Sequence, residues 1–298
     1  MATVSVATDG DAATAIRPPR SAGVQPARPR RSRPGRGSIR AMDLSERRGA
    51  SPRRHPWEKA RAKFFRRIMQ QTRRSSQAVA VLDVGAGDGY LATSLFADLP
   101  AGSRLTCVDS NYSDADLETY RASAPPNLSF ERERPRDRYD VILLLDVIEH
   151  VPDDDAFLRV LTEENLAQDG TVVVSVPARQ SLFSKHDEAL GHYRRYSPAQ
   201  LRGVMAANGL VVQKAGGLFH SLLFPRTWSV VREKFLRMLA KEPPLPPAAD
   251  DWKAGAWVSK GVERLLAADN ALSHACSDLG WDLPGLSVWA VCQRARPE

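Results

Sequence analysis

At 298 residues, 43% of them apolar, the chain can bury one sizeable core with appendages, and no apolar run approaches membrane-spanning length. Its three cysteines (Cys107, Cys276, Cys292) lack disulfide or metal-ligand spacing, which favours a reducing, cytoplasmic setting, and residues 1–10 lack a secretory signal. The net charge of +7 belongs mostly to the first 40 residues, where eight arginines face only Asp9 and Asp11; the remainder, at +1, offers no evident phosphate track for nucleic acid.

Residues 1–50 are rich in Pro, Arg, Gly and Ala and are expected to be a disordered leader. A solvated tail is the favoured reading. The alternatives are a segment for acidic partners such as nucleic acid or anionic lipid, a transit peptide, or a start-site artefact ahead of Met42. An amphipathic helix is expected over Pro56–Met69, with Pro at its start, packed near the sheet edge ahead of the first strand. Val79-Ala-Val-Leu-Asp-Val then reads as a buried strand that turns through Gly85, Gly87 and Gly89 into a helix. Alternate glycines let the backbone approach a ligand closely. The third glycine comes one residue too early for a dinucleotide loop, and no Gly-Lys-Ser/Thr follows for a P-loop.

Leu105-Thr-Cys-Val-Asp109 reads as a second strand ending in a carboxylate 20 residues after Gly89, placed to accept both hydroxyls of a ribose. Further strands are expected near 127–131, 139–145, 171–176 and 210–215, with a last one at Leu286–Cys292. Asp146 ends the fourth strand on the edge where open α/β sheets bind ligands. Asp153-Asp-Asp155 reads as an N-cap and first turn. Pro198 opens a helix that Asn208-Gly209 ends.

The spacing Asp83-x-Gly85-x-Gly87-x-Gly89, the run Leu145-Asp-Val-Ile-Glu-His-Val151 and the variant turn Gln168-Asp169-Gly170 together resemble class I S-adenosylmethionine (SAM)-dependent methyltransferases. The likeness is to their small-molecule, quinone-biosynthesis-like branch, and it covers about residues 78–178. It implies a Rossmann-like α/β fold: a seven-stranded, mostly parallel sheet with an antiparallel last strand, helices on both faces and a helical C-terminal insertion. The implied organisation is a leader (1–50), a SAM-binding core (51–217), a helical lid (218–282) and a final strand with tail (283–298). SAM is the implied cofactor, held by Asp83, Gly85, Gly87, Gly89, Asp109 and Asp146. Many family members place an acid after the third strand for the adenine; Glu131 and Glu133 both stand there.

His150, four residues after Asp146, is the leading candidate for a general base, with ordering of the loop before Pro152 as the structural alternative. The segment Ser184–Tyr196 resembles a flap found in many small-molecule methyltransferases. It carries His186 and His192 as further catalytic candidates, and Tyr193, Arg194 and Arg195 as substrate-binding ones. Its bland reading is a connector in which Asp187 pairs Arg194 or Arg195. One Glu and one His after the fourth strand do not make a metal site, so none is expected.

Leu218–Leu239 is expected to be helical with an interruption at Pro225, Pro243–Pro247 to be a break, and Ala254–Cys276 another helix. Five of six tryptophans (Trp228, Trp252, Trp257, Trp281, Trp289) lie here; packing of a helical subdomain on the sheet is the favoured reading, with an apolar lid as the alternative. Contact of Leu218–Phe224 with a membrane surface is a weaker alternative. The function expected is methyl transfer from SAM to a small apolar or amphiphilic metabolite, with oxygen the preferred acceptor. The alternatives are a nucleic-acid methyltransferase using the basic leader, and a non-catalytic SAM-binding scaffold.

Overall fold

The computed structural model describes residues 54–72, 77–239 and 254–295. The expected leader at 1–50, the break at Pro243–Pro247 and Trp252 lie outside them. In chain order the elements are α1 (Pro56–Thr72), β1 (Ala80–Val84), α2 (Tyr90–Phe96), β2 (Arg104–Val108), α3 (Asp114–Ser123), β3 (Leu128–Glu131), β4 (Tyr139–Leu145), α4 (Asp154–Glu164), β5 (Leu166–Pro177), α5 (Lys185–Leu190), α6 (Pro198–Ala207), β6 (Leu210–Leu218), α7 (His220–Met238), α8 (Ala256–Asp278) and β7 (Ser287–Arg294).

The strands form one sheet in the order β3-β2-β1-β4-β5-β7-β6, parallel throughout except that β7 runs antiparallel to both β5 and β6. Continuous apolar strands need cover on both faces. In β4, Val141, Leu143 and Leu145 enter a layer with Phe64 and Phe65 of α1, Leu95 of α2, Leu266 of α8 and Trp289. Ile142 and Leu144 enter the opposite layer with Leu158 and Leu161 of α4 and Leu201 and Met205 of α6. Strand order reverses between β1 and β4. The crevice beyond their carboxyl ends is where such a sheet binds ligands.

As expected, Asp153 caps α4, its Oδ1 accepting the Ala156 N–H at 2.9 Å, and α6 opens on Pro198. Ser197 and Gln200, not singled out in the sequence, add a reciprocal capping box at α6.

Four expectations are corrected. First, α1 does not lie at an edge ahead of β1, because β1 is interior. It crosses the sheet face with the Phe64 ring centroid 5.1 Å from that of Trp289, and packs on α8 and α2. Second, Gln168-Asp169-Gly170 is not a helix-end turn. The Asn165 side-chain amide donates to the carbonyls of Pro135 and Asp137, so β5 starts at once at Leu166. Its pairing with β4 then jumps from Leu166 to Thr171, and the 167–170 stretch bulges out within the strand.

Third, α7 runs unbroken through Pro225. Proline deprives the Ser221 carbonyl of one backbone bond, but both residues are exposed and water can take its place. Fourth, tryptophan burial does not account for the C-terminal third. Trp289 is fully buried, whereas Trp228, Trp257 and Trp281 are exposed. No helix among the described residues is long and apolar enough to cross a membrane.

The end of β6 meets the approach to β7 backbone against backbone. A Cβ on Gly285 would collide with the Leu218 backbone, which cannot yield as a side chain can. Gly203 instead lies exposed in α6, with nothing within 4 Å of where its Cβ would be. Denaturant unfolding should therefore show opposite signs: Gly285→Ala loses about 1–3 kcal/mol, and Gly203→Ala gains roughly 0.5–1 kcal/mol from helix propensity.

Candidate active site

The turn from β1 to α2 carries Gly85, Gly87 and Gly89 at φ of 70°, 56° and 71°, a region that disfavours side chains. A Cβ at Gly85 would lie 2.8 Å from Val147 Cγ2, and one at Gly89 would lie 2.5 Å from Phe130 Cε1. These glycines therefore let the loop fold tightly as well as leaving backbone open. The Gly87 N–H donates to Asp109 Oδ2 at 3.1 Å, which ties the loop to the end of β2. Burial pushes the Asp109 carboxyl up from its ordinary range, against the lowering effect of N–H donors from Asn111 and Gly87.

Beside this loop lies a narrow cleft lined by Asp83, Gly85, Ala86, Tyr90 and Leu145 from the sheet side. Arg54, Trp57 and Arg61 line it from α1 and the residues before it. Of the residues expected to hold the donor, Asp83 and Gly85 line this cleft, whereas Gly87, Gly89 and Asp109 are not among its lining residues. Asp109 instead accepts from Gly87 through Oδ2 and from the Asn111 N–H and side-chain amide through Oδ1. The alternate glycines and this acid fit a nucleoside-bearing methyl donor laid along the loop and the end of β2.

A larger cavity of about 270 Å³ adjoins the cleft and shares Trp57 and Arg61 with it. Its wall is mainly apolar (Trp57, Leu190, Leu218, Phe219, Leu222, Leu286). Its polar groups include Asp146, Ser175, His186, His192 and Arg195. Asp146, expected to serve the cofactor, lines this second cavity at a left-handed φ of 61°. Its carboxylate takes Arg61 Nη1 at 2.9 Å and the Ser175 hydroxyl at 3.2 Å.

The 184–196 segment is pinned from several sides. The Tyr193 N–H donates to the Glu149 carbonyl at 2.8 Å. The Tyr196 hydroxyl donates to Asp154 Oδ2 at 2.6 Å. Asp187, fully buried, accepts from His192 Nδ1 at 2.9 Å, Arg195 Nε at 2.7 Å and the Ser184 N–H at 3.0 Å; Arg226 of α7 stands at 3.4 Å. Despite burial, which opposes ionisation, hydrogen bonds from His192 and Arg195 hold its carboxyl well below the usual range. With Nδ1–H spent on Asp187, His192 turns Nε2 inward.

The sequence-derived candidates separate here. His186, His192 and Arg195 line the larger cavity. His150 is not among its lining residues; it sits buried in the short 3₁₀ turn Ile148–His150, its ring centroid 4.6 Å from that of His192. Burial and the neighbouring His192 hold its pKa down to about 4. Tyr193 is exposed, and Arg194 turns away to Asp154 at 2.8 Å. Asp187 thus pairs Arg195 and not Arg194. Glu131 is engaged by Arg121 at 2.9 Å.

The residues the sequence did not single out are Trp57, Arg61, Ser175 and Phe219. Arg61 carried a faint signal: on the helix it shares a face with Trp57, Phe64, Phe65 and Ile68, at spacings of −4, +3, +4 and +7, so its charge had to meet a partner.

The sequence profile described as "Methyltransferase domain" matches residues 52–215. A ubiquinone biosynthesis O-methyltransferase from Paramagnetospirillum magneticum (strain ATCC 700264 / AMB-1) is 31% identical over 119 residues, covering 35% of this chain and 46% of that protein. The match thus spans about half of the relative's length. Among solved structures, the [4+2]-cyclase SpnF aligns with a TM-score of 0.50 at 14% identity, over 83% of this chain and 86% of its own. The plantazolicin methyltransferase BpumL, in complex with a monoazolic desmethylPZN analog and SAH, aligns with a TM-score of 0.47 at 16% identity, over 81% of this chain and 85% of its own.

Asp109 both anchors the glycine loop and stands where a ribose would bind, so its loss should be read in donor affinity and in thermal stability together. Calorimetry of Asp109→Ala should show SAM affinity reduced at least about tenfold, the cost of a buried ribose hydroxyl left without its charged acceptor. Unchanged affinity would remove Asp109 from the donor site.

Proposed function

We propose that this chain, which belongs to the methyltransferase domain family, transfers the methyl group of SAM to an oxygen of a small apolar or amphiphilic acceptor. The observation that carries this reading is the pair of adjoining cavities. One lies against the glycine loop, the other is apolar with inward imidazoles, and they meet at Trp57 and Arg61.

SAM supplies a methyl on a positively charged sulfur, which leaves as a neutral thioether. The acceptor oxygen forms its bond to carbon as the carbon–sulfur bond breaks, and the hydroxyl proton goes to a base of this chain. His186 is that base. Its ring lines the acceptor cavity, and burial lowers its pKa, so it stands neutral at pH 7. Positioning of the two reactants contributes about 7–11 kcal/mol at most. Trp57, Leu218, Phe219 and Leu222 exclude water from the meeting point.

The charges of the cavity wall favour an uncharged acceptor. Arg61 is paired with Asp146 and Arg195 with Asp187, so neither arginine is left over for a phosphate or carboxylate. This weighs against a nucleic-acid substrate. The matched relative is itself named for O-methylation, which supports oxygen as the acceptor.

Labelled SAM offered with a panel of hydroxylated apolar metabolites should give labelled product, and offered with DNA or RNA should not. His186→Ala should lower kcat about 10²–10⁴-fold with little change in SAM affinity. Removal of residues 1–41 should leave transfer intact. Labelling of nucleic acid alone, or transfer lost with the leader, would overturn this reading.

A further inference from the structure

Behind the wall of the larger cavity lies a polar cluster that methyl transfer alone does not require. Glu149 is fully buried, and neither of its carboxylate oxygens meets a donor from another residue. Both ring nitrogens of His150 and the Nε2 of His192 are likewise without a hydrogen-bond partner. A carboxylate and two imidazoles left bare in a protein interior would each cost free energy. One ligand atom from each of the three lies within 4.8 Å of the others.

We infer that Glu149, His150 and His192 form a binding site for a divalent transition-metal ion such as zinc, manganese, cobalt or iron(II). Two imidazoles and one carboxylate are a donor set such ions take, with positions left open for a further ligand. Metal–ligand bonds of about 2.0–2.1 Å place donors about 3.4 Å apart in tetrahedral geometry, so modest side-chain rotations would close the set.

Three observations around the cluster support this. The Nδ1 of His192 is bonded to Asp187 Oδ1 at 2.9 Å, the outer-sphere carboxylate that orients a ligating histidine with its other nitrogen toward the ion. Asp187 is itself held by Arg195 and Ser184, so this orientation is fixed before an ion arrives. Arg61, paired to Asp146 at 2.9 Å, and Arg195, paired to Asp187 at 2.7 Å, act on Glu149 only from a distance, and neither bonds its oxygens. A dication supplies the direct partner that both oxygens lack.

His192 lines the acceptor cavity while Glu149 and His150 lie behind it, so the open coordination positions face the acceptor. On the methyltransferase reading, on which this consequence rests, an acceptor hydroxyl bound there loses its proton to His186 more readily.

The test is metal binding by the full chain without an affinity tag, after dialysis against a chelator. Zinc(II), manganese(II) and cobalt(II) are titrated by calorimetry, iron(II) anaerobically, and retained metal is counted by plasma emission. Wild-type protein should bind one equivalent of at least one of these ions and melt at a higher temperature with it. The cobalt form should absorb in the visible. Asp187→Asn should weaken binding about 10–100-fold, and Glu149→Gln and His192→Ala should weaken it further. Should Glu149→Gln fail to fold, His192→Ala, at the cavity wall, still decides. Absence of saturable binding in the wild type, or unchanged metal affinity in His192→Ala, would overturn the site in favour of a cluster that shares a proton. None of these readouts uses SAM or an acceptor. A protein that binds metal but transfers no methyl sinks the functional reading alone.

Discussion

The site depends on one buried carboxylate. Asp187 has no exposed surface, and taking its charge out of water costs several kcal/mol before any partner is counted. That cost is offset because Arg195, His192, the Ser184 backbone and Arg226 all converge on it. The convergence has a structural product. The residues belong to α5, to the loop that follows it and to α7, three segments with little apolar packing of their own, and one anion holds them as a single wall. Removing the carboxylate would strand the buried Arg195 guanidinium, loosen the half-buried Arg226 and release the tautomer of His192 together.

A second pair works in the same way across a larger gap. Arg61 stands on α1, more than eighty residues ahead of Asp146 in sequence, yet the two are 2.9 Å apart at the ends of the helix-covered face. α1 can reach that point because its apolar side, Phe64 and Phe65, is seated in the sheet layer beside Trp289. Packing sets the helix, the helix delivers Arg61, and Arg61 pairs with the strand-end carboxylate that stands beside Glu149. The left-handed backbone at Asp146 belongs to this arrangement. It turns the chain abruptly from β4 into the 3₁₀ turn that carries Glu149 and His150.

The parts of this molecule legible in its sequence are those encoded locally. Apolar runs bounded by polar and turn residues located all seven strands to within a few residues, with β5 and β6 running longer than expected, and Asp153 and Pro198 marked the starts of α4 and α6. The glycine loop was legible because three glycines and Asp109 are spaced by backbone geometry alone. The wall of the larger cavity was not. Whether His150 or His186 faces the cavity depends on how a loop after β5 folds back on a turn after β4, through the Tyr193–Glu149 backbone bond and the Asp187 node. Arg194 and Arg195 are adjacent in sequence and equivalent in chemistry, yet one points outward to Asp154 and the other inward to Asp187. Trp57 was overlooked because the C-terminal tryptophans outnumber it, and three of those stand in solvent.

Those exposed tryptophans bear on what the C-terminal segment does. α8 is part of the core: Leu266, Asn270, Ser273 and His274 are buried, and the helix packs on α1 and β6. α7 differs, with Val230 as its buried residue and Phe224, Trp228, Phe235 and Met238 exposed. Polar bonds supply much of what attaches it to the rest of the chain. Arg226 reaches Ser184 at 2.7 Å, Glu233 accepts the Lys185 N–H at 3.1 Å, and Lys234 donates to the Ser181 carbonyl at 2.8 Å. All three fall on the chain that leads into α5 and His186. An element held by a few directional bonds can move as a unit at lower cost than one seated in a packed core, because no cavity opens behind it. The wall that carries His186 is thereby coupled to α7, while the glycine loop and Asp109 stay anchored in the sheet.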